Sequence, residues 1–73
     1  MSWYDFRSLC ERYGLEVLWD VQRHCYKVYV WSWEYPHLGI RPLGYLTIEQ
    51  LQNWRVDWIE EFVVSCSIEA LTT

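Results

Sequence analysis

Between Thr47 and Cys66 the chain reads TIEQLQNWRVDWIEEFVVSC. At about 100° per residue, Ile48, Leu51, Trp54, Trp58, Ile59, Phe62 and Cys66 fall in one stripe, while Gln50, Asn53, Asp57, Glu60 and Glu61 gather opposite. Thr47 with Gln50 three residues later is a capping box, in which hydroxyl and amide satisfy orphan backbone donors reciprocally. The pattern predicts one helix over 47–66 with a buried apolar face and an acidic outer face. Arg55 is the exception within the apolar side: its i±4 neighbours are Leu51 and Ile59, so it is expected to snorkel or to pair with another element.

Ser2 followed by Asp5 is a second capping signature. Phe6, Leu9, Cys10 and Tyr13 recur at helical spacing, and Gly14 suits the left-handed position that closes a helix, which predicts a short helix over Trp3 to Tyr13. From Leu15 to Val21 the pattern changes to alternation, with Leu15, Val17, Trp19 and Val21 against Glu16, Leu18 and Asp20. Tyr26 to Trp33, YKVYVWSW, has the composition of a second strand, and Gln22 to Cys25 form the hairpin loop. Pairing Val21 with Tyr26 places Trp19 opposite Val28, Val17 opposite Val30 and Asp20 opposite Lys27. One face of the hairpin is then apolar, and the other carries Glu16, Leu18, Asp20, Lys27, Tyr29, Trp31 and Trp33.

Residues 34–44, EYPHLGIRPLG, hold two Pro and two Gly and predict a turn or irregular crossing. Gly39 to Leu46 is expected to add a short third strand at an edge, because Pro42 lacks a backbone donor. Residues 67–73 have too little pattern to assign, and the β-branched Val63 and Val64 are expected to loosen the last turn of the long helix. The fold class is therefore α+β, a single domain over 1–73. Its order is helix, strand, strand, short strand, long helix, with both helices on the apolar face of an antiparallel sheet. That order resembles the layout of double-stranded RNA-binding domains. Such domains have a basic start to their last helix, whereas here the start is Thr47, Ile48, Glu49 and Gln50, and the chain is not assigned to them.

At 73 residues a single core is only just sufficient, and six Trp, six Tyr and two Phe supply the bulk that the size lacks. The formal charge of −4 is concentrated late in the chain. Residues 48–73 hold Glu49, Asp57, Glu60, Glu61 and Glu69 against Arg55 alone, whereas the acids and bases of residues 1–47 cancel. A phosphate-binding surface on the long helix is thereby disfavoured. The apolar run Tyr26 to Val30 is too short to span a bilayer and is broken by Lys27, so no membrane association is expected.

Cys10, Cys25 and Cys66 have no C-x-x-C spacing, and the first residues lack the basic and apolar regions of a secretory signal, so a reducing, cytoplasmic setting with buried thiols is expected. Adjacent His24 and Cys25 suggest a thiolate and its base, but neighbours on a strand point to opposite faces. Cys10, His24, Cys25, His37 and Cys66 match no compact zinc motif. Asp57 and Glu61 lack the pocket that would separate two carboxyl pKa values, and Gly39 and Gly44 fit no nucleotide-binding fingerprint. No catalytic, cofactor-binding or metal-binding residue is assigned.

Two surfaces remain. One is the acidic helix face of Asn53, Asp57, Glu60 and Glu61. Its like charges at i,i+4, and its Glu residues near the helix end that repels anions, are electrostatically unfavourable without a cationic partner. The other is the aromatic sheet face of Tyr29, Trp31 and Trp33, a hot-spot composition if it is not covered by the Pro-Gly segment. The expectation is a non-enzymatic module that binds another protein with a basic, nucleic-acid-handling surface, as an inhibitor or adaptor. In size and acidity it resembles phage-encoded antagonists of host defence. The alternatives are single-stranded nucleic-acid binding, with Tyr29, Trp31 and Trp33 stacking on bases and Arg23, Lys27 and Arg41 on phosphates, and a homodimer through the aromatic face.

Overall fold

The computed structural model describes residues 1–31 and 39–72, which form an α+β arrangement of three helices and a three-stranded antiparallel sheet. Helix α1 (Trp3–Arg12) starts where Ser2 Oγ accepts the Asp5 amide at 3.1 Å, and the chain leaves it through Gly14 at φ +74°. Strands β1 (Glu16–Asp20), β2 (Cys25–Trp31) and β3 (Ile40–Thr47) follow in spatial order β1-β2-β3. β3 is thus an edge strand, which accommodates Pro42 as its missing donor requires.

The hairpin register differs from the expected one by two residues: Asp20 faces Cys25, Trp19 faces Tyr26 and Val17 faces Val28. The connection is therefore Val21 to His24. Asp20 Oδ1 accepts the Arg23 amide at 3.0 Å, and His24 adopts a left-handed φ of 53°, so the chain turns one residue earlier than the alternation suggested. A shift of two preserves every face assignment, because side chains alternate with period two. Val21 alone moves out of the expected apolar face, into the exposed turn. Lys27 now faces Leu18, yet its Nζ still reaches Asp20 Oδ2 diagonally, at 3.6 Å. On the other side of β2, Val28 faces Gly44 and Tyr29 faces Pro42, leaving Leu43 as the extra residue of a bulge.

The expected single helix over 47–66 is two helices, α2 (Ile48–Asn53) and α3 (Val56–Leu71). The capping box forms as read: Thr47 Oγ1 accepts the Gln50 amide at 3.0 Å, and Gln50 Oε1 accepts the Thr47 amide at 2.9 Å. Trp54 and Arg55 are then extended, with ψ of 147° at both. The reason is geometric. Thr47 ends β3 and caps α2 without any loop, so a straight helix to Cys66 would run about 27 Å onward from the strand end. Instead the chain turns and α3 passes back over β3, bringing Cys66 onto Gly44 and the helix end beside Arg41.

That corner revises several expectations. Ile48 and Trp58, assigned to the buried stripe, are exposed, while Trp58 stands edge-on to Trp54 at 6.4 Å. Arg55 is an exposed cap residue whose Nε pairs with Asp57 Oδ1 at 3.2 Å. Val63 and Val64 do not end the helix, which continues to Leu71, because Val63 is buried in the core.

One apolar cluster joins Phe6, Leu9 and Cys10 of α1, Val28 and Leu46 of the sheet, Leu51 of α2, and Ile59, Val63 and Cys66 of α3. All three helices therefore lie on the Val28 face of the sheet. At one end Tyr26 stacks on Trp3 at 4.7 Å and meets Trp19 edge-on at 5.1 Å. Arg41 faces Val30 on this same side, and its Nη2 donates to Thr72 O at 2.8 Å, a cation at the negative end of α3.

A Cβ at Gly44 would lie 3.0 Å from two ring carbons of Phe62 and 3.1 Å from Cys66 Sγ. Gly44→Ala should therefore destabilise the fold by about 1–3 kcal/mol through overpacking. Urea denaturation checks this, and Phe62→Leu combined with Gly44→Ala should recover part of the loss.

Candidate functional site

The acidic residues occupy one surface, but not quite the one expected. Asp57, Glu60 and Glu61 are exposed on α3, whereas Asn53 ends α2 on the far side of the corner and is not part of the same helical face. The corner also reverses an electrostatic argument. With α3 starting at Val56, Asp57 lies in its first turn and Glu60 and Glu61 just beyond it, so the helix dipole favours Asp57 and no longer opposes Glu60 and Glu61. What persists is the like-charge spacing of Asp57 and Glu61 and an excess of charge: Val56–Leu71 carries four acids and no Lys or Arg. Asp57 pairs with Arg55, and Glu69 lies 3.6 Å from Arg41. Glu60 and Glu61 have no cation within ion-pair distance among the described residues.

Beside these carboxylates lies an open-sided groove of about 520 Å³ between the end of α1 and the outer side of α3. Tyr13, Val64 and Ser65 line it together with Asp57, Glu60 and Glu61. An aromatic ring and an aliphatic side chain thus share this groove with three carboxylates. Tyr13 was readable only as an α1 core residue, since nothing in the sequence indicates that its exposed ring lies next to α3.

The aromatic sheet face divides. Tyr29 is only 9% exposed, and its hydroxyl is held above its ordinary pKa by burial and by Glu16. Trp31, edge-on to Tyr29 at 6.0 Å, is 63% exposed. Trp33 lies outside the described residues, as does His37. The cations assigned to phosphate binding are engaged elsewhere. Asp20 binds Arg23 Nη1 at 3.2 Å and Lys27 at 3.6 Å, Arg23 also lies over the Tyr45 ring, and Arg41 is on the opposite side of the sheet.

The candidate reactive groups are apart. His24 is exposed in the turn, while the Cys25 thiol is buried on the outer sheet face. Cys10 and Cys66 are buried between the helices and sheet. Burial, with help from Cys66 and Glu11, pushes the Cys10 thiol up to about 12, and burial with Glu69 pushes Cys66 up to about 11. Both thiols are protonated at neutral pH and poor nucleophiles. No group of three or more His, Cys, Asp or Glu that could hold a metal occurs among the described residues, and none of the described helices is long and apolar enough to cross a membrane. No family model, curated protein or solved structure matches the chain.

Two pH effects follow. The Arg23 amide bond to Asp20 holds that carboxyl below its ordinary value, reinforced by the Arg23 side chain and Lys27 against the opposing effect of burial. Its stabilisation is complete above the ordinary carboxylate range and is lost as pH falls through the depressed value. Denaturation below about pH 4 should therefore lose stability more steeply in the wild type than in Asp20→Asn. The raised thiols act at the other end: their contribution is complete below the unfolded thiol value and lost as pH rises toward 11 and 12. Cys10→Ser with Cys66→Ala should flatten that alkaline limb, and in the wild type a thiol reagent at neutral pH should modify these two cysteines only on unfolding.

Proposed function

We propose that this protein is a non-catalytic binding module that attaches, as an inhibitor or adaptor, to a basic surface of another protein through the outer side of α3. The observation that carries the reading is the unbalanced charge there: Glu60 and Glu61, with no cation within ion-pair distance among the described residues, line a groove together with Tyr13 and Val64, and Arg12 shares a second hollow with Glu60 on the side toward α1. Charge of one sign on a rigid helix steers encounter with an oppositely charged partner and fixes its register. Basic clefts that ordinarily receive nucleic acid are the partner class best matched, and an acidic occupant would exclude the nucleic acid. Three buried free thiols support a reducing, cytoplasmic place of action.

Trp31 supports a second contact. An exposed Trp on the same sheet face as a half-exposed Tyr45, though four register positions away, is an interface composition, and it serves either an additional part of the same partner or a second copy of the chain.

Glu60→Lys with Glu61→Lys tests the reading. Asp57 is left intact, because it pairs with Arg55 and supports the start of α3. The variant should keep its melting temperature within a few degrees, and a basic protein retained by wild type from nuclease-treated lysate should be lost. With the purified pair, association should slow by about tenfold or more at low salt, and the salt dependence of the rate should flatten. An unchanged association rate would reject the electrostatic basis.

A further inference from the structure

The core-facing side of α3 is a run of Ile59, Val63, Cys66 and Ala70, buried or packed against the core and spaced 4, 3 and 4 residues apart. The same helix repeats that spacing on its outer side: Asp57, Glu61, Val64, Ile68 and Leu71 follow one another at 4, 3, 4 and 3 residues. The spacing is that of a heptad seam, but only Val64, Ile68 and Leu71 of the five are apolar, so the outer side is acidic in its first half and apolar in its second. Its last two apolar members are open to solvent, with Ile68 60% and Leu71 83% exposed. A surface helix needs one apolar stripe, and α3 has a second, short one, in which Val64 is half-buried near Tyr13 while Ile68 and Leu71 have no cover among the described residues.

We infer that this outer seam is the docking surface for an amphipathic helix of the partner protein, laid along α3 over about four turns or 21 Å. The inference rests on the binding role proposed above and specifies its partner. That helix would present apolar side chains over Val64, Ile68 and Leu71, and Lys or Arg residues two turns away over Asp57 and Glu61. One of those cations would enter the groove beside Tyr13.

Charge decides between a foreign helix and a second copy. Two α3 helices packed in parallel would set Asp57 and Glu61 against the same residues of the other copy, a like-charge seam. Packed antiparallel, they would press these carboxylates onto Ile68 and Leu71 and desolvate them without partners. A basic amphipathic helix meets both halves of the seam, the apolar one by burial and the acidic one by pairing.

Two synthetic helical peptides of identical composition test this against the ¹⁵N-labelled full chain. The matched peptide carries Leu at two turns of heptad positions followed by Arg at the next two turns. The permuted peptide intersperses Leu and Arg so that neither stripe exists. The matched peptide should bind at least tenfold more tightly, shift the amides of Val64, Ile68 and Leu71, and lose that advantage on Ile68→Ser with Leu71→Ser. Because both side chains are exposed, this variant should retain the wild-type melting curve, and Leu71→Ser alone serves if it does not. Equal binding of the two peptides, abolished only by Glu60→Lys with Glu61→Lys, would overturn the helix inference while preserving the acidic-surface reading. Failure of the matched peptide to bind wild type, while the lysate partner still depends on Glu60 and Glu61, would overturn the inference alone. A wild-type dimer in light scattering, removed by Ile68→Ser with Leu71→Ser, would assign the seam to a second copy and also overturn it.

Discussion

The close approach of α3 to β3 at Gly44 is the contact on which the remaining architecture depends. Val28, opposite Gly44 on the central strand, is fully buried, and Phe62 and Cys66 descend into the space that a side chain at position 44 would have filled. To reach that place α3 must pass back over the strand from which the chain has just come. The corner at Trp54 and Arg55 is the consequence, and so is the placing of the helix end where Arg41 can satisfy its carbonyls. Core packing thus outweighs the propensity of residues 47–66 to continue as a single helix.

The corner also redistributes charge and exposure. It places the acidic cluster toward the beginning of a helix instead of its end, a favourable position for Asp57. It turns Ile48 and Trp58 outward and brings Ile59, Val63 and Cys66 into the core with Leu51. The outer side of α3 is then free to differ along its length, acidic near Val56 and apolar near Leu71.

Aromatic side chains serve different ends on the two sides of the sheet. Trp3, Trp19 and Tyr26 close the helix-side core at one end, as a short chain requires. On the outer side Tyr29 is buried beside neighbours whose charges are held by Asp20, and Trp31 stands in solvent. A face that looked uniform as a list of aromatics is therefore one buried ring and one exposed ring among its described members.

The features that could be read in advance are those set by residues close together along the chain. Ser2 with Asp5, Thr47 with Gln50, and Gly14 act over three residues or fewer, and each does in the structure what its local chemistry demands. Strand alternation assigned Val17, Trp19, Tyr26 and Val28 to one face correctly even though their pairing was displaced by two. Period two is blind to such a shift, and only the Asp20 turn distinguishes the registers. Pro42 marked an edge because a missing donor has the same meaning wherever it occurs. The corner in the long helix, the exposure of Trp58, the place of Tyr13 beside the acidic residues and the engagement of Arg41 depended on which surfaces meet across the core. Helical periodicity orders side chains around one axis, but it cannot say that the axis bends or what lies on its far side.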